Sequence, residues 1–221
     1  MKFKFSLLPL LFTISIIANI FLAYKVYDLN KRKTVFAVNN FHQVAEIRSQ
    51  DTVFLGDSLT TWGDWNEFFP DTPIRNRGVP MAKISYFFDQ LPYFLKNKPK
   101  KLFVLLGIND LHQKREVAEA LEDYKKLLSM IHALSPTTVV YTLSLLPINS
   151  ELYHGYANTD KIEKFNAGIK TLAQTFAMNY VDLNQAMKNE KGELKQDFTY
   201  DGIHLTVQGY KTWAQVLGPL L

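Results

Sequence analysis

The hydrophobic pattern of the chain changes twice along its length. Phe5–Tyr24 is a 20-residue stretch without a charged side chain. As a helix it would be about 30 Å long, which matches the hydrocarbon core of a bilayer. Residues 25–50 have the pattern of a polar, partly helical connector. From residue 51 onward, short apolar runs alternate with helical patterns, so we expect one globular domain there.

The apolar runs beyond residue 51 have the length and composition of strands. They are rich in Val, Leu, Phe and Tyr, and none alternates cleanly with polar residues. This is typical of strands that are buried on both faces. The four clear runs are Thr52–Leu55, Leu102–Leu106, Val139–Leu143 and Tyr180–Leu183, and Pro73–Asn76 is a weaker fifth.

Helical patterns separate these strands. Apolar residues recur at three- and four-residue spacing in Val117–Leu134, in Ile162–Phe176 and in the closing segment Thr206–Leu217. Asp160 is the expected cap of the second helix. Alternation of strands and helices over this length predicts an α/β fold, with a parallel sheet sandwiched between helices.

Composition and charge narrow the class of protein. The 221 residues are 47% apolar and 14% aromatic, which fits one globular domain. The isoelectric point is about 9.0, but residues 1–33 hold six basic side chains and one acidic one, and the rest holds 19 basic and 20 acidic. A neutral body argues against a nucleic-acid partner. The absence of cysteine excludes disulfides and thiolate metal sites.

The apolar N-terminal stretch has two interpretations. A cleaved signal peptide is one, but the stretch is long for that role and no A-x-A-like site follows it. We therefore expect a retained membrane anchor, with residues 1–33 as anchor and basic flank, 34–50 as connector and 51–221 as the globular α/β domain. Positive charge on both sides leaves the orientation open. The positive-inside rule by itself would keep the body cytoplasmic.

Polar clusters follow three of the predicted strands. They read Gly56-Asp57-Ser58, Asn76-Arg77-Gly78 and Gly107-Ile108-Asn109-Asp110, and Asp201-Gly202-Ile203-His204 precedes the last helix. Ligand sites of open α/β sheets form at the carboxyl ends of strands. A serine becomes a nucleophile when a base takes its proton and a third group orients that base. The clusters offer all three groups.

The four blocks together resemble the SGNH, or GDSL, hydrolase family. G-D-S-L, N-R-G, G-I-N-D and D-G-I-H occur in the family's order within about residues 51–217. The G-x-S-x-G elbow of the α/β-hydrolases is absent, because Thr60 stands where the second glycine would be. The resemblance implies a flavodoxin-like, three-layer α/β/α sandwich with a parallel five-stranded sheet.

The resemblance also implies roles for individual residues. Ser58 would be the nucleophile, His204 the base and Asp201 the group that orients the imidazole. The backbone N–H groups of Ser58 and Gly78 and the side-chain amide of Asn109 would form the oxyanion hole. Simpler interpretations exist, with Ser58 as a helix cap and with Gly78 and Asn109 as turn residues.

Other residues are candidates for the substrate pocket. Trp62 and Trp65 follow the serine, and Asn149 follows the fourth strand; packing in the interior is the alternative for the tryptophans. Relatives often have a further glycine after N-R-G, whereas this chain has Val79-Pro80-Met81, which should reshape that side of the pocket. No metal, nucleotide or other cofactor motif is present, so we expect none.

These observations predict a serine esterase, EC 3.1.1.-, that cleaves short acyl esters on carbohydrate or envelope substrates. Bacterial relatives of this size are often acetylesterases or lysophospholipase-like enzymes. Anchored relatives commonly work on the cell envelope, so the resemblance favours an extracytoplasmic domain. A lipid esterase, a sugar O-acyltransferase and a catalytically silent membrane-tethered binding module are the alternatives. The sequence does not indicate an oligomeric state.

Overall fold

A computed structural model describes residues 8–112 and 115–221, and within them the side chains of all but residues 8–11 and 31–44. The chain divides into two compact units, one ending at Ala45 and the other covering Glu46–Leu221. The predicted boundaries after residues 33 and 50 stay predictions.

Among its described residues, the first unit contains the helix α1, Leu8–Val44. Within it, the 19 residues Phe12–Asn30 have a mean hydropathy of 1.3 and are long and apolar enough to cross a membrane. A signal sequence would satisfy the same criterion. The predicted span Phe5–Tyr24 begins outside the described residues. The predicted connector is helical as far as Val44, so a polar composition did not end the helix.

The second unit contains the predicted five-stranded parallel sheet. Its strands are β1 Thr52–Gly56, β2 Ile74–Gly78, β3 Lys101–Leu105, β4 Val139–Leu143 and β5 Asn179–Val181. They lie in the order β2-β1-β3-β4-β5, and each neighbouring pair is parallel. The fifth strand ends earlier than predicted. The Asp182 side chain accepts the Gln185 N–H and thereby starts a helix at Leu183.

Helices cover both faces of this sheet. After α1 they are α2 Ser58–Thr61, α3 Trp65–Phe68, α4 Leu91–Phe94, α5 Ile108–His112, α6 Val117–Leu134, α7 Thr159–Thr175, α8 Leu183–Met187 and α9 Val207–Leu217. Short 3₁₀ helices occur at Ile84–Phe87, Gln196–Phe198 and Gly218–Leu220.

Helix α7 begins differently from the prediction. Its cap is Asn158, whose side-chain oxygen accepts the Lys161 N–H at 2.9 Å. Asp160 lies inside the first turn instead and pairs with Lys164 at 2.8 Å. The prediction for Asp160 was wrong because more than one residue near this point suits the cap, and only the backbone path selects among them.

Two apolar layers hold the sheet between the helices. Alternate strand residues such as Phe54 and Phe103 pack with the helices on one face, where Trp213 of α9 is fully buried. On α6 and α7, Tyr124 and Phe165 meet edge to face with ring centroids 5.8 Å apart. Burial on both faces explains why the strands lack polar alternation, and it confirms the predicted fold class.

The strand register aligns the polar clusters. Gly56, the last residue of β1, pairs with Gly78 at the end of β2 and with Leu105 at the end of β3. Three neighbouring strands therefore stop at one edge, and the segments that follow them begin side by side. This edge carries the candidate site.

Candidate active site

Ser58 is the first residue of α2, directly beyond the end of β1. The carboxylate of Asp57 caps this helix by accepting the Leu59 N–H at 3.0 Å. Gly56 permits the sharp change of direction, since a Cβ there would lie 2.0 Å from Thr60 Oγ1 and 2.8 Å from the Leu105 carbonyl. The chain thus presents Ser58 at the carboxyl edge of the sheet with 9% of its surface exposed.

The structure brings Ser58, His204 and Asp201 together in line. Ser58 Oγ lies 3.0 Å from His204 Nε2, and His204 Nδ1 lies 2.6 Å from Asp201 Oδ2. The other carboxylate oxygen accepts the backbone N–H groups of Ile203 and His204 at 3.0 and 2.8 Å. Residues 146 positions apart therefore lie within hydrogen-bond distance.

The protonation of Asp201 fixes the direction of these hydrogen bonds. Partial burial pushes the pKa of Asp201 upward, but hydrogen bonds from the His204 ring and from the backbone N–H groups of His204 and Ile203 outweigh burial and lower it. The carboxylate is therefore ionised at neutral pH and accepts a hydrogen bond from Nδ1. In a neutral imidazole whose Nδ1–H donates to Asp201, Nε2 is the acceptor that faces the Ser58 hydroxyl.

Gly202 and Asn149 hold the loop that carries Asp201 and His204. The Asn149 N–H donates to the Gly202 carbonyl at 2.9 Å, and the Gly202 N–H donates to Thr199 Oγ1 at 2.9 Å. Gly202 has φ 90°, and a Cβ there would lie 2.6 Å from the Tyr153 nitrogen. Only glycine fits this combination of backbone angle and close approach.

Asn149 itself is a buried brace, which corrects its assignment to the pocket. Its side-chain amide donates to the Leu194 carbonyl at 3.2 Å, and its Oδ1 has no partner among the described residues. The sequence placed Asn149 at the right edge of the sheet. It did not show that the side chain turns inward.

Asn109 lies on α5, beside the segment that follows β2. One N–H of its amide donates to the Ala82 carbonyl at 3.0 Å, and the amide has a second N–H for another acceptor. The neighbouring Asp110 is buried and accepts the Ile84 N–H at 3.1 Å and Arg115 at 2.8 Å. These contacts join the start of α5 to residues 82–84.

Gly78 does not fit its predicted role as an oxyanion donor. Its N–H donates to the Asn76 side-chain oxygen at 2.9 Å. The Asn76 amide in turn donates to the carbonyls of Thr60 and Thr61 at 3.0 and 3.1 Å. Gly78 is required for packing, since a Cβ there would lie 2.4 Å from the Thr61 nitrogen. The role of Asn76 was not predicted, although this residue opens the N-R-G block.

Met81 marks where this chain departs from the glycine-rich pattern after N-R-G. It adopts φ 63°, in the left-handed region that side chains with a Cβ rarely occupy. The backbone there keeps a shape suited to glycine while carrying a larger residue. Such strain persists only where the surrounding structure enforces it.

The two tryptophans after Ser58 have different surroundings. Trp62 is 49% exposed, and its ring centroid lies 4.3 Å from that of His204. Trp65 is only 2% exposed, packs against Phe54 and Trp213, and donates from its ring nitrogen to the Thr60 carbonyl. The assignment of Trp65 to the pocket was wrong, because α3 turns its side chain into the core.

Tyr200 is a neighbour of the site that was not predicted from the sequence. Its ring is 60% exposed and lies nearly parallel to the His204 ring, with centroids 6.0 Å apart. Its place directly before Asp201 was the available signal. Trp62 and Tyr200 give the surroundings of His204 an aromatic character.

Asp57 is a second buried carboxyl close to the serine. Burial raises its pKa to about 7, the Leu59 N–H opposes this, and the nearby Asp110 adds to it. Its Oδ2 has no partner among the residues that the structure describes. Over the same residues, no group of three or more His, Cys, Asp and Glu side chains is placed to hold a metal ion.

The fold and the site define an α/β domain of the SGNH hydrolase type. A sequence profile of the GDSL-like lipase/acylhydrolase family matches residues 54–212, which include Ser58 and His204. The chain belongs to this family of acylhydrolases, and the predicted resemblance is confirmed.

Solved structures share the fold over most of the chain. A provisionally named platelet activating factor from Streptococcus pneumonia has a TM-score of 0.82 and 24% identity, covering 90% of this chain and 98% of that one. A GDSL-like lipase from Bacteroides thetaiotaomicron has a TM-score of 0.71 and 18% identity over 84% and 96%. An acetyl xylan esterase has a TM-score of 0.66 and 17% identity over 77% and 99%.

Curated relatives carry a different name. N-acylneuraminate cytidylyltransferase of Streptococcus agalactiae serotype V is 26% identical over 197 residues, which are 87% of this chain and 43% of that protein. The protein of the same name from Escherichia coli O18:K1:H7 is 22% identical over 86% of this chain and 46% of its own length. The chain spans less than half the length of these relatives.

Proposed function

We propose that the protein is a serine esterase that removes short acyl groups from carbohydrate hydroxyls. The observation that supports it most directly is the line of hydrogen bonds from Ser58 Oγ through His204 to Asp201, at 3.0 and 2.6 Å. An ionised carboxylate, a correctly oriented imidazole and a serine hydroxyl are what acyl transfer to serine requires.

In the proposed reaction, Ser58 Oγ attacks the ester carbonyl while His204 Nε2 takes the hydroxyl proton. The tetrahedral intermediate collapses, the C–O bond to the alcohol breaks, and His204 returns the proton to the departing oxygen. Water then attacks the acyl-serine with His204 as base, which releases the carboxylic acid and restores Ser58. Asp201 stabilises the imidazolium in both halves.

The negative charge on the carbonyl oxygen needs donors that are already in place. We infer that the Ser58 N–H and the Asn109 amide supply them. The Ser58 N–H belongs to the first turn of α2, where N–H groups lack helical partners. The Gly78 N–H is bound to Asn76, so it is not one of these donors. The Val79–Ala82 turn, whose Ala82 carbonyl accepts from Asn109, borders the proposed oxyanion hole in its place.

Two features favour a short acyl group and a carbohydrate. Two exposed aromatic rings, Trp62 and Tyr200, flank His204. The blocks of the sequence contain no inserted segment that would enclose a long acyl chain. The named relatives also support a sugar substrate, since one solved neighbour is an acetyl xylan esterase and the curated relatives act by name on an N-acylneuraminate. Cytidylyl transfer itself is not part of this proposal, because the chain covers less than half of those relatives and has no recognised nucleotide-binding motif.

A substrate profile tests the proposal. The full chain in detergent should hydrolyse p-nitrophenyl acetate and acetylated sugars far faster than lysophospholipids, and a fluorophosphonate should label it. Ser58→Ala should abolish both reactions while the circular dichroism spectrum is unchanged. Faster turnover of lysophospholipids would support the lipid-esterase alternative. No labelling of the folded wild-type protein would support a silent binding module.

An acceptor experiment separates hydrolysis from transfer. An O-acyltransferase uses the same three residues but gives the acyl group to a sugar hydroxyl. If an added glycan accelerates loss of the acetyl-enzyme and becomes acetylated, transfer is the reaction. If water consumes the acetyl-enzyme at the same rate with and without the glycan, the protein is a hydrolase.

We further propose that α1 anchors the protein in a membrane with the catalytic unit outside the cytoplasm. The helix contains the apolar segment Phe12–Asn30. If α1 is a retained anchor, a tag after Leu221 should stay in the membrane fraction at the mass of the uncleaved chain. If the catalytic unit lies outside the cytoplasm, a protease added to intact spheroplasts should digest the tag. A shorter, released product would identify a signal sequence, and protection from protease would place the catalytic unit inside.

A further inference from the structure

A hydrogen-bonded pair of side chains lies beside the proposed active site and takes no part in the reaction described above. His112 Nδ1 is 2.6 Å from the Tyr153 hydroxyl oxygen. His112 is exposed at the end of α5, and Tyr153 is half-buried in the segment between β4 and α7. The two come from distant parts of the sequence, so the contact is a product of the fold.

The pair lies between the two sides of the site. His112 is three residues after Asn109 on α5, and residues at this spacing are neighbours on one face of a helix. Tyr153 packs against Gly202 of the loop that carries His204, and its N–H donates to the Asn149 carbonyl at 2.9 Å. The Asn109 side and the His204 side of the site therefore meet at this pair.

The Tyr153 hydroxyl lies within hydrogen-bond distance of one of the two ring nitrogens of His112, Nδ1. Burial raises the pKa of Tyr153, and a hydrogen bond from the Ala157 N–H opposes this. The hydroxyl therefore keeps its proton at neutral pH and is able to donate it to His112 Nδ1. A neutral imidazole that accepts at Nδ1 carries its proton on Nε2. Within residues 8–112 and 115–221, nothing binds His112 Nε2.

Backbone packing keeps the pair in place. A Cβ on Gly155 would lie 2.1 Å from the Tyr153 hydroxyl and 2.5 Å from His112 Nδ1. The backbone at Gly155 therefore packs directly against both side chains of the pair. A donor held in this way loses little conformational entropy when a ligand binds.

Exposed aromatic rings accompany the pair. The Tyr156 ring is 57% exposed and lies 6.4 Å from the His112 ring, while Trp62 and Tyr200 flank His204 with 49% and 60% exposure. Flat apolar surfaces combined with a few fixed polar groups are typical of small-molecule sites. A sugar ring has apolar C–H faces and a rim of hydroxyls, so it matches both kinds of surface.

We propose that the His112–Tyr153 pair binds the alcohol half of the ester, and that this alcohol is a saccharide. His112 Nε2–H donates to a sugar oxygen, and Tyr153 holds the imidazole in the tautomer that can donate. This inference rests on the proposed esterase function. It assigns the pair to binding the leaving group and leaves acyl transfer to Ser58, His204 and Asp201.

Substrates with and without a sugar test the assignment. His112→Phe keeps a ring but removes the donor, and Tyr153→Phe removes the hydroxyl that orients it. We expect either variant to lower kcat/KM for O-acetylated xylobiose or O-acetylated sialic acid about tenfold, mainly through KM, as for the loss of one hydrogen bond. Hydrolysis of p-nitrophenyl acetate should stay within about twofold of wild type. His112→Gln, which can restore a donor, should recover part of the loss.

The outcomes separate this inference from the proposed function. Equal losses on both kinds of substrate would show a structural role for the pair, and unchanged kinetics on the sugars would show no role; either result overturns the inference. If the wild-type protein hydrolyses p-nitrophenyl acetate but no sugar ester, the inference is also overturned, while the proposed esterase activity is retained. A loss confined to the acetylated sialic acid would support the inference and identify an anionic sugar as the saccharide. Failure of the wild-type protein to react with p-nitrophenyl acetate or fluorophosphonate would instead refute the proposed function.

Discussion

The indole ring of Trp62 lies against the imidazole ring of His204, with centroids 4.3 Å apart and the planes tilted by 45°. Trp62 ends the short helix that begins at Ser58, so one turn of chain carries both the serine and a contact to the imidazole. The contact limits the movement of the ring. It also places an aromatic face where an imidazolium forms during acyl transfer, and such faces attract cations.

Trp62→Leu should therefore slow the proposed reaction. Loss of the ring contact removes a cation–π interaction of about 0.5–1 kcal/mol and the packing that orients the imidazole, so we expect kcat/KM for p-nitrophenyl acetate to fall about tenfold. Trp62→Phe should retain most of the activity. Tyr200→Leu, at a ring distance of 6.0 Å, should have a smaller effect. Equal effects of the leucine substitutions at residues 62 and 200 would contradict this explanation.

Asn109→Ala should lower kcat, because it removes a proposed hydrogen-bond donor to the oxyanion. Removal of one oxyanion donor typically reduces kcat about 10²–10³-fold. Because the donor matters chiefly in the transition state, KM should change little. Steady-state kinetics with p-nitrophenyl acetate measure both constants. Asn109→Asp keeps the shape of the side chain but replaces the donor by a negative charge, and it should be at least as inactive. A rise in KM at constant kcat would assign Asn109 to substrate binding instead.

Gly202→Ala and Gly192→Ala form a matched pair, since both glycines have positive φ, 90° and 79°. A Cβ on Gly192 meets nothing within 4 Å, whereas one on Gly202 lies 2.6 Å from the Tyr153 nitrogen. Gly192→Ala should cost about 1–2 kcal/mol of folding free energy through its backbone angle and leave activity unchanged. Gly202→Ala should in addition displace Asp201 and His204 and reduce kcat about 100-fold.

Urea denaturation and assays on the same preparations measure both effects of the glycine substitutions. Comparable activity in the two alanine variants would show that the loop tolerates displacement. The proposed importance of Gly202 for the site would then be wrong.

Asp57→Asn should remove part of the pH dependence of stability. An aspartate in the unfolded chain ionises with its ordinary pKa of 3.8, while the folded-state pKa of Asp57 is about 7 because of burial. The folded state therefore binds more protons between these values, and its stability falls as the pH rises from about 4 to about 7, by at most roughly 4 kcal/mol. Asparagine keeps an acceptor for the Leu59 N–H and cannot ionise.

The variant should match wild type near pH 4 and exceed it in stability at pH 8. Free energies of unfolding from urea titrations at both pH values check this. A difference between the two proteins that does not change with pH would show that Asp57 ionises normally in the folded state.

Much of the fold was predictable because burial leaves a mark on composition. A parallel strand covered on both faces must be apolar throughout, and the runs near Thr52, Leu102 and Val139 have this character. Strand ends were less certain. Asp182 starts a helix where the apolar pattern continued to Leu183, since a side-chain cap acts on a single residue and leaves no periodic signal.

The positions of individual side chains were harder to predict. Trp62 and Trp65 are three residues apart and equally apolar, yet one lies on His204 and the other in the core. The N–H of Gly78 is bound to Asn76, a contact that no motif reveals. Each depends on how short helices and turns pack against other elements.

The sequence by itself determined that a serine and an asparagine follow strands of a parallel sheet and that an Asp–His pair precedes the last helix, because local patterns set the strands, the helices and their order along the chain. Only the tertiary structure decided that Ser58 Oγ lies 3.0 Å from His204 Nε2 and that His112 meets Tyr153. Distances between remote residues depend on strand register, loop bracing and packing summed over the whole core, and these are properties of the folded chain.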